Sequence, residues 1–433
     1  MTARWLLVLT FAMLPRIAAP EPAPDGGNVA VRCGSLIDGL GAAARTDITV
    51  VIESGRIIHV GEAAAAVQST ILDLDGYTCL PGLIDTHVHI ADRHSDTRDL
   101  RVFYTRSAQE QTEISRRNAE ATLLAGFTSV RSVGAYIAWA EIELRDRVNR
   151  GEVIGPRIQA AGIYLTVPGG GGDLLIPDVP EQDIPARVRM GIARGPEQFR
   201  RKAELAVASG ADFLKVIASG AVLAYGGVPG APEMTSGEIA AVVEVGHAAG
   251  IKVAAHAHGA QSIKDAILAG VDTIEHASLA DDEAIGLAAD RHVAFSMDVY
   301  NGDYIATMGR EEGWPEEFLR KNDETTEAQR QALTQAYRAG VPLIYGTDAA
   351  VYPHGLNARQ FAIMVQRGMA PMDAIRSATS AAAGYMGWSD RVGAIVAGRY
   401  GDLIAVQGDP LTDITVLQDV KVVIKGGVIY KRP

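Results

Sequence analysis

Eight short apolar runs, each followed by Ala- and Leu-rich helical sequence, constrain this chain more than any other feature. They are Leu83–Ile90, Thr128–Val133, Arg157–Gly162, Phe213–Ala218, Lys252–His258, Thr273–Ala277, Val293–Val299 and Leu343–Thr347. Parallel strands covered by helices are buried on both faces and so read as continuous apolar runs; eight of them is the count of a (β/α)8 TIM barrel. A length of 433 residues accommodates one such domain and a small companion, and an apolar fraction of 48% supports its core. Short β-rich runs with Gly-containing turns lie between Asn28 and Cys79, and the same texture returns after Gly398. Pairing of these flanking segments predicts a small β-sandwich built from both chain ends. The expected division is a signal peptide and short linker over 1–24, sandwich over 25–80, barrel over 81–390 and the rest of the sandwich over 391–433.

Active sites in TIM barrels gather at the C-terminal ends of the strands. The first run, Pro81-Gly-Leu-Ile-Asp-Thr-His-Val-His-Ile90, carries His87 and His89 there, two residues apart and therefore on one strand face. Alone, such a pair is a weak signal. Later runs end in Lys215, His256, His276 and Asp348, and this series makes the reading a metal-dependent hydrolase.

The formal net charge of −12 excludes the clustered basic footprint that nucleic acid or an anionic membrane requires. At the N-terminus, Arg4, an apolar stretch from Trp5 to Leu14 and small or Pro-rich residues through Pro24 follow signal-peptide grammar, and the stretch is shorter than the ~20 residues of a membrane span. Export to the periplasm or medium is expected. An exported protein could join its only two cysteines, Cys33 and Cys79, but a domain of this size does not depend on a disulfide, so two buried thiols are expected. Residues 165–185, with the run Gly169–Gly172, and residues 300–322, with Trp314-Pro315, are expected to be long structureless loops at the site face, acting as lids or binding loops.

The motifs Gly55-Arg-Ile, Pro81-Gly-Leu-Ile-Asp-Thr-His-Val-His, Gly398-Arg-Tyr-Gly-Asp-Leu-Ile-Ala-Val and Lys425-Gly-Gly resemble the amidohydrolase superfamily. Within it, the chain resembles the prolidase-like, imidazolonepropionase-related group that includes ochratoxin-hydrolysing N-acyl amino acid amidases. The resemblance implies a two-metal site: His87, His89 and Asp348 on a buried ion, His256 and His276 on an outer one, and Lys215 bridging both as a carbamate formed with carbon dioxide. Imidazole and carboxylate ligands suit zinc. Two such ions bring a shared water toward a neutral pKa, giving the hydroxide that attacks the carbonyl, with Asp348 as base and then acid. Relatives commonly carry a histidine in the Gly run, where this chain has only glycine.

His258 shares a strand face with His256 and is expected to contact substrate or the tetrahedral intermediate. Tyr225 is a candidate oxyanion stabiliser and His354 a candidate contact for a substrate carboxylate. His292 is expected to be a helix–strand turn residue, and His59, His94 and His247 solvated. The function expected is cleavage of an amide bond to a C-terminal amino acid, in a dipeptide or an N-acyl amino acid, by a homo-oligomer acting on a small molecule. The alternatives are a single-metal deaminase or cyclic-amide hydrolase, which usually lacks a bridging lysine, and a metal-free scaffold.

Overall fold

Strands β1 (Val29–Leu36), β2 (Arg45–Glu53), β3 (Arg56–Glu62) and β4 (Ile71–Pro81) open the chain in the computed structural model, which describes residues 26–41, 43–62 and 71–433. The expected signal peptide lies outside these residues. Eight strands follow in the order read from the sequence: β5 (Leu83–Val88), β6 (Phe127–Ser132), β7 (Arg157–Ala160), β8 (Phe213–Ile217), β9 (Lys252–Gly259), β10 (Thr273–Leu279), β11 (Ala294–Ser296) and β12 (Leu343–Ile344). The chain closes with β13 (Leu403–Gln407), β14 (Val422–Lys425) and β15 (Val428–Lys431).

The eight middle strands form two parallel arcs, β5-β6-β7 and β12-β11-β10-β9-β8. Single parallel bridges meet at both seams, Val88 with Ala349 and Leu165 with Val216. Hydrogen bonds reinforce the first seam: Thr86 N donates to Tyr345 O at 2.7 Å and Asp348 N to His87 O at 2.7 Å. Nearly every residue of β5 to β12 is buried, which is why these strands read as apolar runs rather than as alternating ones. Helices between them are stopped and started by local chemistry. Thr235 and Glu238 form a capping box ahead of Ser236–Ala248. His292 closes Asp282–Arg291 at φ 53°, the helix–strand turn role expected of it.

Both chain ends pair into one continuous seven-stranded sheet, β15-β14-β13-β4-β1-β2-β3. Its parallel pair β1–β4 brings Cys33 and Cys79 together as a disulfide with a Cα–Cα distance of 5.9 Å. This corrects the expectation of two buried thiols: the registered partners of Cys33 and Cys79 are Leu74 and Leu36, and the irregularity between Cys33 and Ser35 lies where the two cysteines come within bonding reach. Asp402 joins this sheet to the barrel through a buried bidentate contact with Arg157 at 3.1 and 3.2 Å.

Residues 300–322 correct a second expectation. They are helical rather than structureless, comprising Asn301–Tyr304, a π-turn over Ile305–Gly309, Arg310–Glu312 and the start of a 23-residue helix, Glu316–Arg338. Pro315 precedes that helix at its N-cap, ending one segment and opening the next. The Gly run is a tight turn. A Cβ at Gly170, Gly171 or Gly172 would stand 2.7, 2.9 and 2.8 Å from Glu233, Ala221 and Ile217 respectively, so a side chain at these three positions needs its neighbours to shift, whereas Gly169 faces open space at φ 78°.

Candidate metal centre

The C-terminal ends of β5, β8, β9 and β10, with the turn after β12, surround a cavity of about 170 Å³ lined by His87, His89, Lys215, His256, His276 and Asp348. All six residues expected to hold metal therefore reach one space. His256, His258 and His276 each offer a ligand atom within 4.8 Å of the others, and so do His87, His276 and Asp348, so that His276 belongs to both groups.

Hydrogen bonds behind the rings aim their lone pairs. His87 Nδ1 donates to Glu275 Oε2 at 2.8 Å, His89 Nδ1 to Gly134 O at 2.8 Å, and His276 Nδ1 to Asp298 Oδ1 at 2.9 Å. Each bond places the proton on Nδ1 and leaves Nε2 as a bare acceptor facing the cavity. Two of these acceptors then face a third: Asp348 Oδ1 lies 3.0 Å from His89 Nε2 and 3.4 Å from His87 Nε2. Lone pairs set against a carboxylate repel unless a cation lies among them. His87 Nε2, His256 Nε2 and Lys215 Nζ are all buried without a hydrogen-bond partner, which a protein interior tolerates poorly. The donor set fits divalent ions.

Burial lowers His256 well below the ordinary histidine range and takes His258 down to about 3, keeping both rings neutral. It also pushes Lys215 down to about 8, toward the free amine. Glu275 runs the other way: burial opposes its ionisation, but the Arg131 guanidinium and the His87 N–H hold it well below the carboxylate range. The backbone is bent to suit. His276, Ala277, Asp348 and Ala350 have φ of 74°, 48°, 56° and 115°, four positive-φ non-glycine residues gathered at this rim. Gly346 is required beside them, since a Cβ there would stand 1.9 Å from Ser296 Oγ and 2.8 Å from His87 Cβ.

Of the three residues expected to touch substrate, only His258 lines the cavity, with Nδ1 2.8 Å from Ser278 Oγ. Tyr225 lies outside the lining and packs on Phe318 with ring centroids 4.8 Å apart, because its loop turns away after Leu223. His354 is buried behind the site, its ring between Thr122 Oγ1 at 3.1 Å and His89 O at 3.3 Å. It steadies the backbone of His89 rather than meeting a ligand. His247 and His59 are exposed as expected, His247 beside Asp272, whereas His94 is half-buried and lines no part of the cavity.

Several lining or supporting residues were not singled out from the sequence. Tyr136 and Tyr164 follow β6 and β7 and line the cavity, the Tyr164 hydroxyl 3.0 Å from His89 Nδ1, a position the strand-end rule could have flagged. Burial, then the charge of Asp92, raises the pKa of both. Asp298, just past β11, holds His276 and accepts from Asn301 and Gln329 at 2.6 and 2.8 Å; Asn301 also donates to Asp348 at 3.1 Å. Arg131 and Glu275 sit inside the barrel among apolar neighbours, where nothing in the sequence pattern marks them. Asp92 lines the cavity wall beside His89, and burial pushes its carboxyl up to about 7.

Comparison with known proteins gives one consistent result. The amidohydrolase family model matches residues 78–430. An ochratoxinase of Aspergillus niger is 30% identical over 436 aligned residues, covering 93% of this chain and 86% of that protein. A crystal structure of a Xaa-Pro dipeptidase with methionine bound in its active site superposes with a TM-score of 0.87 at 33% identity, covering 94% of this chain and 100% of the other. The A. niger ochratoxinase structure superposes at 0.82 with 26% identity, covering 94% and 96%. With these relatives and the strand-end donor set in hand, the chain belongs to the amidohydrolase family and is a hydrolase acting on amide bonds.

Proposed function

We propose that the protein is a binuclear metal-dependent amidohydrolase that removes a C-terminal amino acid from a dipeptide or an N-acyl amino acid. The observation that carries this reading is the convergence of bare acceptors, His87 Nε2, His89 Nε2, His256 Nε2 and Asp348 Oδ1, around the buried Lys215 amine. His87, His89 and Asp348 would hold one ion, His256 and His276 the other, and Lys215, carboxylated by carbon dioxide, would join them. Its position among buried apolar residues and its lowered pKa favour the neutral amine that such carboxylation needs. Imidazole and carboxylate donors suit zinc. When bound, the ions lower the pKa of water and polarise the scissile carbonyl.

The protein's own groups do the rest. Asp348 takes the proton of the attacking water and returns it to the departing nitrogen, steadied by the Asn301 amide. His258, Tyr136 and Tyr164 present hydrogen-bonding groups to the substrate side of the cavity. The ochratoxinase and dipeptidase relatives support an amide to a C-terminal amino acid as the bond cleaved. Export belongs to this reading, supported by the signal-like N-terminus and by the Cys33–Cys79 disulfide, which persists in oxidising compartments.

The test is a hydrolysis screen of Xaa-Pro, Xaa-Arg and N-acyl-Phe compounds with metal-reconstituted protein. Chelation should abolish activity, about two divalent ions per chain should restore it, and Lys215→Ala should not be rescued by metal alone. Full activity of Lys215→Ala with one ion would transfer the protein to the single-metal deaminases or cyclic-amide hydrolases. Hydrolysis of none of these amides by the loaded protein would leave the scaffold reading.

A further inference from the structure

Asp92 is the one carboxylate on the cavity wall outside the metal-facing set that has no donor of its own. It is 7% exposed, lines the same cavity as His89 and Asp348, and its Oδ1 has no hydrogen-bond partner. Its nearest cation, Arg106 Nη1, stands 3.9 Å away and donates instead to Gln111 at 3.2 Å. Arg106 Nη2 forms an ion pair with Asp96 at 2.5 Å, its Nε has no hydrogen-bond partner and makes none to Asp92, and Asp96 also receives Arg93 Nε at 2.9 Å. Arg93 in turn serves Glu110 at 3.1 Å. Asp96 thus has two guanidinium partners and Asp92 only a distant share of one. Its backbone is fixed, with its N–H on His89 O at 3.0 Å and its carbonyl receiving Asn118 at 2.7 Å, so the side chain cannot swing to solvent by moving the chain.

A buried carboxylate without donors is costly; it either takes up a proton, the direction in which burial moves Asp92, or meets a cation that supplies the missing donors. We propose that Asp92 forms a cation subsite that takes a protonated nitrogen of the substrate, making it a specificity-determining residue of the cavity. This deepens the amidase reading and rests on it. Two parts of a substrate could supply such a nitrogen: the α-ammonium of the residue whose carbonyl is attacked, or a basic side chain on the departing amino acid. In the first case the substrates are dipeptides with a free amino terminus rather than N-acyl amino acids.

The experiment compares metal-loaded wild type with Asp92→Asn on Ala-Phe, N-acetyl-Ala-Phe and N-acetyl-Ala-Arg. Losing an ionic hydrogen bond in a desolvated site costs about ten- to a hundredfold in kcat/KM. Such a loss on Ala-Phe, with less than a twofold change on N-acetyl-Ala-Phe, assigns the α-ammonium; a loss confined to N-acetyl-Ala-Arg assigns the side chain. Equal losses on all three, or none, overturn the subsite. Calorimetric titration of the loaded wild type with butylamine and with 1-butanol reads the same site without catalysis and without a variant. Tighter binding of the amine is expected, and equal binding overturns the proposal. A wild type that binds the amine but cleaves none of the amides would sink the amidase reading and leave the cation subsite standing.

Discussion

Replacing Glu275 with Gln isolates the part of the centre that no ligand touches. Three donors converge on this carboxylate: Arg131 Nη2 at 2.5 Å and Thr273 Oγ1 at 2.6 Å on Oε1, and His87 Nδ1 at 2.8 Å on Oε2. A glutamine offers one oxygen, so its amide nitrogen must face at least one N–H or O–H, and the Arg131 charge loses its counterion in a fully buried setting. Two unit charges at about 4 Å interact by about 4 kcal/mol at an effective dielectric of about 20, and breaking buried pairs costs about 3–5 kcal/mol. Glu275→Gln should therefore lower the unfolding free energy of the metal-free protein by about 3 kcal/mol or more, read from urea midpoints at constant slope. Metal affinity should fall about 10–100-fold in chelator competition, because His87 loses the partner that fixes its tautomer. The double variant Arg131→Met, Glu275→Met should recover most of the stability and none of the metal affinity, since it removes the stranded charge but not the vacancy behind His87. A Glu275→Gln midpoint within about 0.5 kcal/mol of wild type, with unchanged metal affinity, would refute the argument that this pair supports the site.

Other outcomes follow from the same geometry. Asp298→Asn should weaken metal binding by about 10–100-fold with little loss of fold, measured by metal titration, because it removes the anion behind His276 while keeping an oxygen for Asn301 or Gln329. Reducing the Cys33–Cys79 bond, which spans 46 residues, should cost about 4 kcal/mol on the loop-entropy relation, visible as a lower urea midpoint with dithiothreitol and absent in Cys33→Ala, Cys79→Ala. Glu141 is buried and its pKa is raised by that burial from 4.5 to about 7. The folded state therefore holds an extra proton between these values, so this contribution is present below about pH 4.5 and is lost as pH rises toward 7. The stability difference between wild type and Glu141→Gln should shrink or reverse across that window, and a pH-independent difference would count against it.

The parallel strand–helix layout was legible because its strands are buried on both faces and the candidate ligands stand toward strand ends, so residue type and position pointed the same way. Lys215 shows this best: of the two lysines in the eight barrel runs, Lys252 opens its strand at the far end, and Lys215, placed later in its own strand, is the one in the cavity. Loop residues were not legible in the same way. Tyr225 and His354 follow the right strands, yet the turn after Leu223 and the packing of His354 under His89 send them elsewhere. Side-chain direction in a loop depends on contacts far away in sequence, such as Lys321 donating to the carbonyls of Ala224 and Gly226 at 2.7 and 2.6 Å. Arg131, Glu275 and Asp298 were silent for a different reason. Their roles exist only as partners of one another and of the ligands, and no periodicity encodes a partnership across the barrel. The segment 300–322 was misread because Gly313 and Pro315 look like loop punctuation, while here they mark the joint between two helices.

The strand order of the terminal sheet has a consequence for how the molecule is made. Residues Tyr77–Pro81 of β4 take their hydrogen bonds on one side from Leu403–Gln407 of β13, which is synthesised after the whole barrel. Until then, the β4 edge that β13 will cover offers unpaired amides and carbonyls to any passing strand. The Cys33–Cys79 link can secure the other side of β4 long before that moment, because both of its ends lie ahead of the barrel. A ribosome that stops short of β13 would therefore release not a trimmed enzyme but a chain with an open sheet edge, prone to self-association.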